Sequence, residues 1–214
     1  MRRVNAPDPF AGALTSLDEL LARYPEPNPK AWTKDIGTLD AAARALIAAS
    51  PLVVVASHDA DGRADATPRG GRPGFVTVLD DGHLAIPDAT GNNRLDTLRN
   101  IVDTGYAGLL FLIPGRDQTL RVNGRARVTE APHVLERIEA VGKPPRTAIV
   151  VATDEVYAHC PKALIRSKLW NPDAWPSLDD VPTAAEVMRV HGRQDMSLAE
   201  VEAYLDESIR TRLA

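Results

Sequence analysis

Residues 91–128, GNNRLDTLRNIVDTGYAGLLFLIPGRDQTLRVNGRARV, carry the densest chemistry in the chain. Gly91-Asn92-Asn93-Arg94 reads as a turn that opens a short amphipathic helix, with Leu95, Leu98, Ile101 and Val102 on one face. A helix N-terminus presents unpaired N–H groups and a partial positive charge, so it suits an anion. Arg94 is expected in the first turn of that helix. Further on, Leu120, Val122, Gly124, Ala126 and Val128 alternate with Arg121, Asn123, Arg125 and Arg127. Period two is the signature of a strand with one face buried, and it gathers the three arginines on the other face. Like charges on one face repel unless something anionic lies against them, so Arg94 and these arginines together suggest a pocket for a phosphorylated ligand. The plainer readings are a half-solvated strand and an ordinary turn with an Asn cap. Thr67-Pro68-Arg69-Gly70 adds another cation at the end of an earlier strand, where Pro68 removes a ladder donor and so marks a sheet edge or a bulge.

Other reactive side chains are sparse. The histidines at 58, 83, 133, 159 and 191 lack metal-ligand spacing with another His, Cys or carboxylate, and no metal site is expected. Cys160 is the single cysteine, which excludes an internal disulfide. It precedes Pro161 at a helix start, where a thiol pKa can fall, although a lone Cys more often serves packing. There is no phosphate-loop lysine motif, no dinucleotide fingerprint and no serine nucleophile elbow, and the residues identify no catalytic acid or base. Lys162 to Trp170 reads as a basic amphipathic helix, its simplest role being a solvated face over Leu164, Ile165 and Leu169.

The elements that must position these residues fall into three stretches. Residues 1–50 read as a helical arm. Ser16 and Glu19 form a capping box, Pro25, Pro27 and Pro29 an extended linker, and Thr38 caps a second helix through Ala49 with Leu39, Ala42, Ala43, Leu46 and Ile47 as its stripe. Residues 51–158 read mainly as strands: 52–56, 63–69, 75–79, 83–86, 106–113, 119–129 and 147–157. Asp59–Gly62 and Asp80–Gly82 supply hairpin turns, and Pro132 begins a short helix that Gly142 can end. Residues 159–214 return to helix, with capping boxes at Thr183–Glu186 and Ser197–Glu200. Closely spaced strands with hairpin signals point to an antiparallel barrel rather than a doubly wound sheet.

The composition sets outer bounds. The 214 residues are 44% hydrophobic and 25% charged, the balance of a globular protein. A net charge of −4 argues against general nucleic-acid binding. No apolar run approaches a membrane span of roughly 20 residues. Arg2-Arg3 suggests a twin-arginine export signal, but Pro7, Asp8 and Pro9 interrupt the apolar stretch such a signal needs, so the expected location is the cytoplasm.

In this order and spacing, Thr67-Pro-Arg-Gly70, Gly91-Asn-Asn-Arg94, and Leu109-Leu-Phe-Leu112 followed by Leu120-Arg-Val-Asn-Gly124 resemble the pyridoxamine 5′-phosphate oxidase superfamily of FMN-binding split β-barrels. Residues 158–170 are similar to the segment that follows the barrel in uncharacterised branches of it. The resemblance implies a mainly β, α+β fold: an antiparallel split barrel over residues 51–170, with a helical arm at 1–50 and a helical extension at 171–214. It implies a homodimer with two FMN molecules at the subunit interface. Arg69 on the strand, with Asn93 and Arg94 at the helix start, would hold the FMN phosphate, and Gly70 and Asn92 beside them belong to the cofactor site. Ile86 and Pro87 would line the isoalloxazine ring through backbone groups, and Thr119 and Arg121 would face the flavin region. Arg166, Lys168 and Trp170 would reach the site on the other subunit. Two departures stand out. Asn92-Asn93-Arg94 replaces the Ser-Arg-Lys of the vitamin-B6 oxidases, losing one cation, and their C-terminal Arg-Leu substrate motif is absent. The expectation is an FMN-dependent oxidoreductase acting on a small molecule other than pyridoxamine phosphate. A flavin or deazaflavin carrier without turnover, or a haem or tetrapyrrole binder on the same barrel, are the alternatives.

Overall fold

A computed structural model describes residues 8–26, 28–89, 91 and 93–212. The chain divides into two compact units, Met1–Lys34 and Asp35–Ala214. In the first, α1 (Leu17–Leu21) is capped by Ser16, whose hydroxyl accepts the Glu19 N–H at 3.2 Å. The Glu19 carboxylate reaches the Thr15 N–H at 2.7 Å, so the return bond of the capping box is displaced by one residue. Pro29 does not end an extended linker. It opens α2 (Pro29–Trp32) from the N1 position, behind an Asn28 cap, because its fixed φ suits the first helical turn.

The second unit begins with α3 (Ala41–Ala49). Its cap is Asp40, which accepts the Ala43 N–H at 2.8 Å; the Thr38 hydroxyl donates instead to the Ile36 carbonyl. Leu39, Ala43 and Ile47 are buried, Leu46 is half-buried, and Ala42 faces solvent. The strands follow as β1 (Leu52–His58), β2 (Ala64–Gly70), β3 (Thr77–Val78) and β4 (His83–Pro87). After α4 (Asp96–Thr104) come β5 (Tyr106–Leu112), β6 (Leu120–Thr129), α5 (Pro132–Leu135) and β7 (Ala148–Ala158). Every strand pairing is antiparallel, in the order β2-β1-β5-β6-β7-β4-β3. The seven-stranded sheet curls into a split β-barrel with flanking helices. Pro68 lies on β2, an outer strand of this order, the position in a sheet that tolerates a missing N–H.

The sheet curls around one main core. Val53 and Val55 of β1, Leu109 and Phe111 of β5, Leu120, Val122 and Ala126 of β6, and Ile149 and Val151 of β7 fill it. Helix α3 and Ile101 of α4 pack into it. Strand β4 is covered on both faces: Leu84 and Ile86 join this core, while Ala85 joins a smaller cluster with Val134, Ile138 and Ala148. Helix α5 ends at Leu135, well before Gly142, as the chain turns to bury Ile138 in that cluster.

Gly124 fixes the pairing of β6 with β7. The register shifts between Asn123 and Gly124, and a Cβ at 124 would lie 1.9 Å from the Ala152 carbonyl oxygen. The resulting bulge keeps Val151 and Val156 on the same side of the sheet despite their odd separation. After β7 come α6 (Lys162–Ser167), a 3₁₀ turn at Pro172–Ala174, α7 (Ala184–Gly192) and α8 (Leu198–Arg212). Thr183 and Glu186 close a complete capping box on α7, and Ser197 and Glu200 exchange the same pair of bonds on α8. No helix among the described residues is long and apolar enough to cross a membrane.

Candidate functional site

Strand β2 presents Asp65, Thr67 and Arg69 on its half-buried face, as period two requires. The Arg69 guanidinium donates to the Thr67 hydroxyl at 2.7 Å and to the Pro68 carbonyl at 3.0 Å, which aims it along the strand. Four residues before Arg69, Asp65 ties β2 to α4. Its carboxylate accepts the Thr97 hydroxyl at 2.9 Å, and the Asn100 amide donates to Ser57 on β1 at 3.0 Å. Ser57, Thr97 and Asn100 are all buried, so these hydrogen bonds hold the start of α4 against the edge of the sheet.

The turn before α4 is unusual. Asn93 and Leu95 both have left-handed backbones, with φ of 58° and 63°. Asn tolerates this region, but for Leu it costs on the order of 1 kcal/mol. The helix starts at Asp96, so Arg94 precedes its first turn rather than lying within it, and Leu95 occupies the cap without a side-chain hydrogen bond. Arg94 pairs with Asp96, whose carboxylate already meets part of the positive end of the helix. Of the expected apolar stripe, Val102 faces solvent while Leu98 and Ile101 turn inward, with Leu98 half-buried.

Between the end of β2, the end of β4 and the turn before α4 lies a cleft of about 930 Å³. Arg69, Gly70, Asn93 and Arg94 line it, as do Leu95 and Leu98. Asn92 lies outside the described residues. Ile86 and Pro87 are buried in β4 immediately before Asp88, which lines the cleft. The far wall comes from residues that sequence reasoning missed: Lys143, Pro144 and Arg146, on the segment leading into β7. Asp88 was also missed. Its N–H donates to the Thr147 carbonyl at 3.0 Å, and burial raises its carboxyl above the usual range, opposed by attraction to Arg69 and Arg146. A Lys-Pro-Pro-Arg run has no periodicity to mark it, and only the return of the chain beside β4 brings these charges to the cleft.

Ile86 and Pro87 themselves do not line this cleft, and neither do the remaining sequence-predicted residues. Arg121 donates to the Tyr157 hydroxyl at 2.9 Å and lies 5.6 Å from the ring centre, while Tyr157 stacks at a tilt on His159, 5.1 Å between centroids. Thr119 is buried, and its carbonyl accepts the His159 N–H at 2.8 Å. Arg127 donates to the carbonyls of Gly105 and Ala126, and Arg125 is exposed, so the arginine face of β6 does not converge with Arg94. Arg166 bonds the Lys162 carbonyl, Lys168 ends α6 in a left-handed conformation, and the Trp170 indole donates to the Arg116 carbonyl at 2.8 Å. Within one chain there are thus two groups: a cationic cleft beside α4, and an Arg-Tyr-His cluster on β6 and β7.

The arrangement can bind an anion. A guanidinium held by its own strand, cations from the two other walls and an apolar floor suit a ligand with one charged and one apolar end. Among the described residues, no group of three or more His, Cys, Asp or Glu side chains is placed to hold a metal ion.

Comparison with solved structures finds similar chains. One is a candidate pyridoxamine 5′-phosphate oxidase from Lactobacillus delbrueckii, 24% identical, covering 58% of this chain and 98% of that one, with a TM-score of 0.46. Another is HupZ from Group A Streptococcus, 20% identical, covering 54% and 89%, with a TM-score of 0.43. A third is an F420 reductase, 14% identical, covering 54% and 94%, with a TM-score of 0.39. No curated protein matches the chain. The family pattern of pyridoxamine 5′-phosphate oxidase matches residues 39–160, from the residue before the α3 cap to just past the end of β7, and the chain belongs to that family.

Proposed function

We propose that this protein is an FMN-dependent oxidoreductase of the cytoplasm, acting as a homodimer on a small molecule other than pyridoxamine phosphate. The observation that carries the reading is the convergence of Arg69 and Gly70 with Asn93 and Arg94 on one cleft, because the two pairs are 23 or more positions apart and meet only through the fold. The fit to FMN is supported by the donor set. Guanidinium groups match a phosphate monoester, and the cleft falls within the ~300–1,000 Å³ of small-molecule sites. Arg69 and Arg94 would hold the phosphate, with Gly70 allowing close approach and Asn92 and Asn93 offering polar groups at the turn. The backbone of Ile86 and Pro87 would orient the ring, while Leu95 and Leu98 exclude water beside it. Bound FMN supplies the hydride or electron transfer.

The family assignment and the two separated groups support a dimer. Thr119, Arg121, Arg166, Lys168 and Trp170 would complete the site across a two-fold interface. The apolar stripe of α6 fits this: Ile165 is 54% exposed in the single chain and has a partner only if another surface covers it. In this reading residues 51–170 form the FMN-binding domain, 1–50 an arm and 171–214 an extension. Denaturing freshly purified protein and chromatographing the released ligand tests it. FMN is expected; FAD, a deazaflavin or haem as the main species, or no uptake of excess FMN on reconstitution, would overturn it.

A further inference from the structure

Asp88 is the one carboxylate among the described residues that line the cationic cleft. Its place is fixed by the sheet: Pro87 pairs with Ala148 at the end of β4, and the Asp88 N–H bonds the Thr147 carbonyl just beyond. Cations attract it from two elements, Arg69 on β2 and Arg146 on the segment before β7. Lys143 and Arg94 line the same cleft, and Arg94 is paired with Asp96. Burial opposes the charge on Asp88 more strongly than the two arginines favour it, so the carboxylate is held there at a cost.

A carboxylate so placed has two effects on an incoming ligand. It repels anionic charge, and the repulsion grows with the charge of the ligand. It also accepts a hydrogen bond from any O–H or N–H that the ligand carries next to its anionic group. A fully ionised anion meets the repulsion and gains nothing in return, and the P–OH of a hydrogen phosphate can bond Asp88 only by turning an oxygen away from the arginines. A phosphate ester on a hydroxyl-bearing chain gives its phosphate to the arginines and a hydroxyl to Asp88.

We propose that Asp88 is the specificity-determining group of this cleft, selecting a phosphomonoester attached to a hydroxyl-bearing chain and discriminating against bare phosphate and diphosphates. The inference rests on the reading of the cleft as the phosphate end of an FMN site, since the ribityl phosphate of FMN has this chemistry.

The test is calorimetric titration of the ligand-free full chain with ribose 5-phosphate, inorganic phosphate, pyrophosphate and FMN, in the wild type and in Asp88→Asn and Asp88→Ala. The wild type is expected to bind ribose 5-phosphate more tightly than either inorganic anion. Asp88→Asn keeps an acceptor oxygen and removes the charge, so ribose 5-phosphate should stay within about threefold while pyrophosphate tightens at least about tenfold. Asp88→Ala also removes the acceptor, and should weaken ribose 5-phosphate and FMN about tenfold while tightening pyrophosphate. Should Asp88→Ala fail to fold, ribose 5-phosphate affinity in Asp88→Asn decides: it stays within about threefold if the retained oxygen still accepts the ligand hydroxyl, and tightens together with the inorganic anions if Asp88 acts by charge alone. A role confined to charge would tighten every anion in order of its charge, ribose 5-phosphate and FMN included, in Asp88→Ala as in Asp88→Asn; that result, or no change in either variant, overturns the inference. FMN binding with a selectivity indifferent to Asp88 sinks this inference and leaves the cofactor reading standing. Absent FMN binding with ribose 5-phosphate still governed by Asp88 does the reverse.

Discussion

Asp88 and Arg69 show how a single residue sets the behaviour of this site. Because burial raises the Asp88 carboxyl above its ordinary 3.8, the folded state disfavours its ionised form. The penalty is absent below the unfolded value and complete above the folded one, so this residue lowers stability as pH rises through that window. Asp88→Asn removes the penalty. The variant should melt slightly higher than wild type at neutral pH, and the difference should vanish as the pH falls toward 3.8. Thermal unfolding followed by circular dichroism across that range checks it; a variant that melts lower at neutral pH would show that attraction to Arg69 and Arg146 outweighs burial. At Arg69 the expectation concerns geometry as well as charge. The guanidinium is aimed by Thr67 and the Pro68 carbonyl, and an ammonium cannot make the same fork. Arg69→Lys should therefore recover only part of the FMN affinity lost in Arg69→Ala, as measured by quenching of flavin fluorescence. Full recovery would reduce Arg69 to a point charge.

The elements owe their positions to a few residues that can be tested one at a time. Gly124 is the clearest, since any side chain there runs into the backbone of β7. Gly124→Ala should destabilise the protein by at least about 3 kcal/mol, in the upper range for single substitutions, measured by denaturant unfolding. A variant as stable as wild type would show that β6 and β7 do not pair in this register. Thr97→Val tests the tie between β2 and α4. Removing the hydroxyl that donates to Asp65 should cost about 1–2 kcal/mol, because Asp65 is half exposed and water can take its place. Much at this scale was legible in the sequence. Asp59–Gly62 and Asp80–Gly82 carry their turn chemistry locally, with Gly62 at φ 80°, and the alternation on β6 records which face is buried. Other features depend on partners distant in sequence. Thr38 and Asp40 are both good caps, and the choice falls to Asp40 where the Leu39 N–H is already engaged by the Asp81 carbonyl. The α4 start moved two residues along because its left-handed turn has no glycine to announce it. Lys143, Arg146 and Asp88 sit on loops, where no hydrophobic period marks a residue and only strand pairing decides what it faces.

For the whole molecule, a site of this composition requires a second copy of the chain. One chain brings Arg69 and Gly70 together with Asn93 and Arg94 but leaves Arg121, Arg166, Lys168 and Trp170 elsewhere. If the partner completes the site, FMN binds the dimer preferentially and shifts association by mass action. Sedimentation should show a dimer that persists to lower protein concentration when FMN is present. A concentration-independent monomer that binds FMN stoichiometrically would remove those residues from the site. Whatever the oligomer, the cleft beside α4 is proposed to hold the phosphate of FMN. Titrating the ligand-free wild type and Arg69→Ala with FMN and with riboflavin isolates the share of binding that the phosphate contributes. The account predicts that the wild type prefers FMN by at least about tenfold, and that Arg69→Ala loses most of this preference while its affinity for riboflavin changes little. Equal affinity of the wild type for FMN and riboflavin, or a preference that survives intact in folded Arg69→Ala, would contradict it.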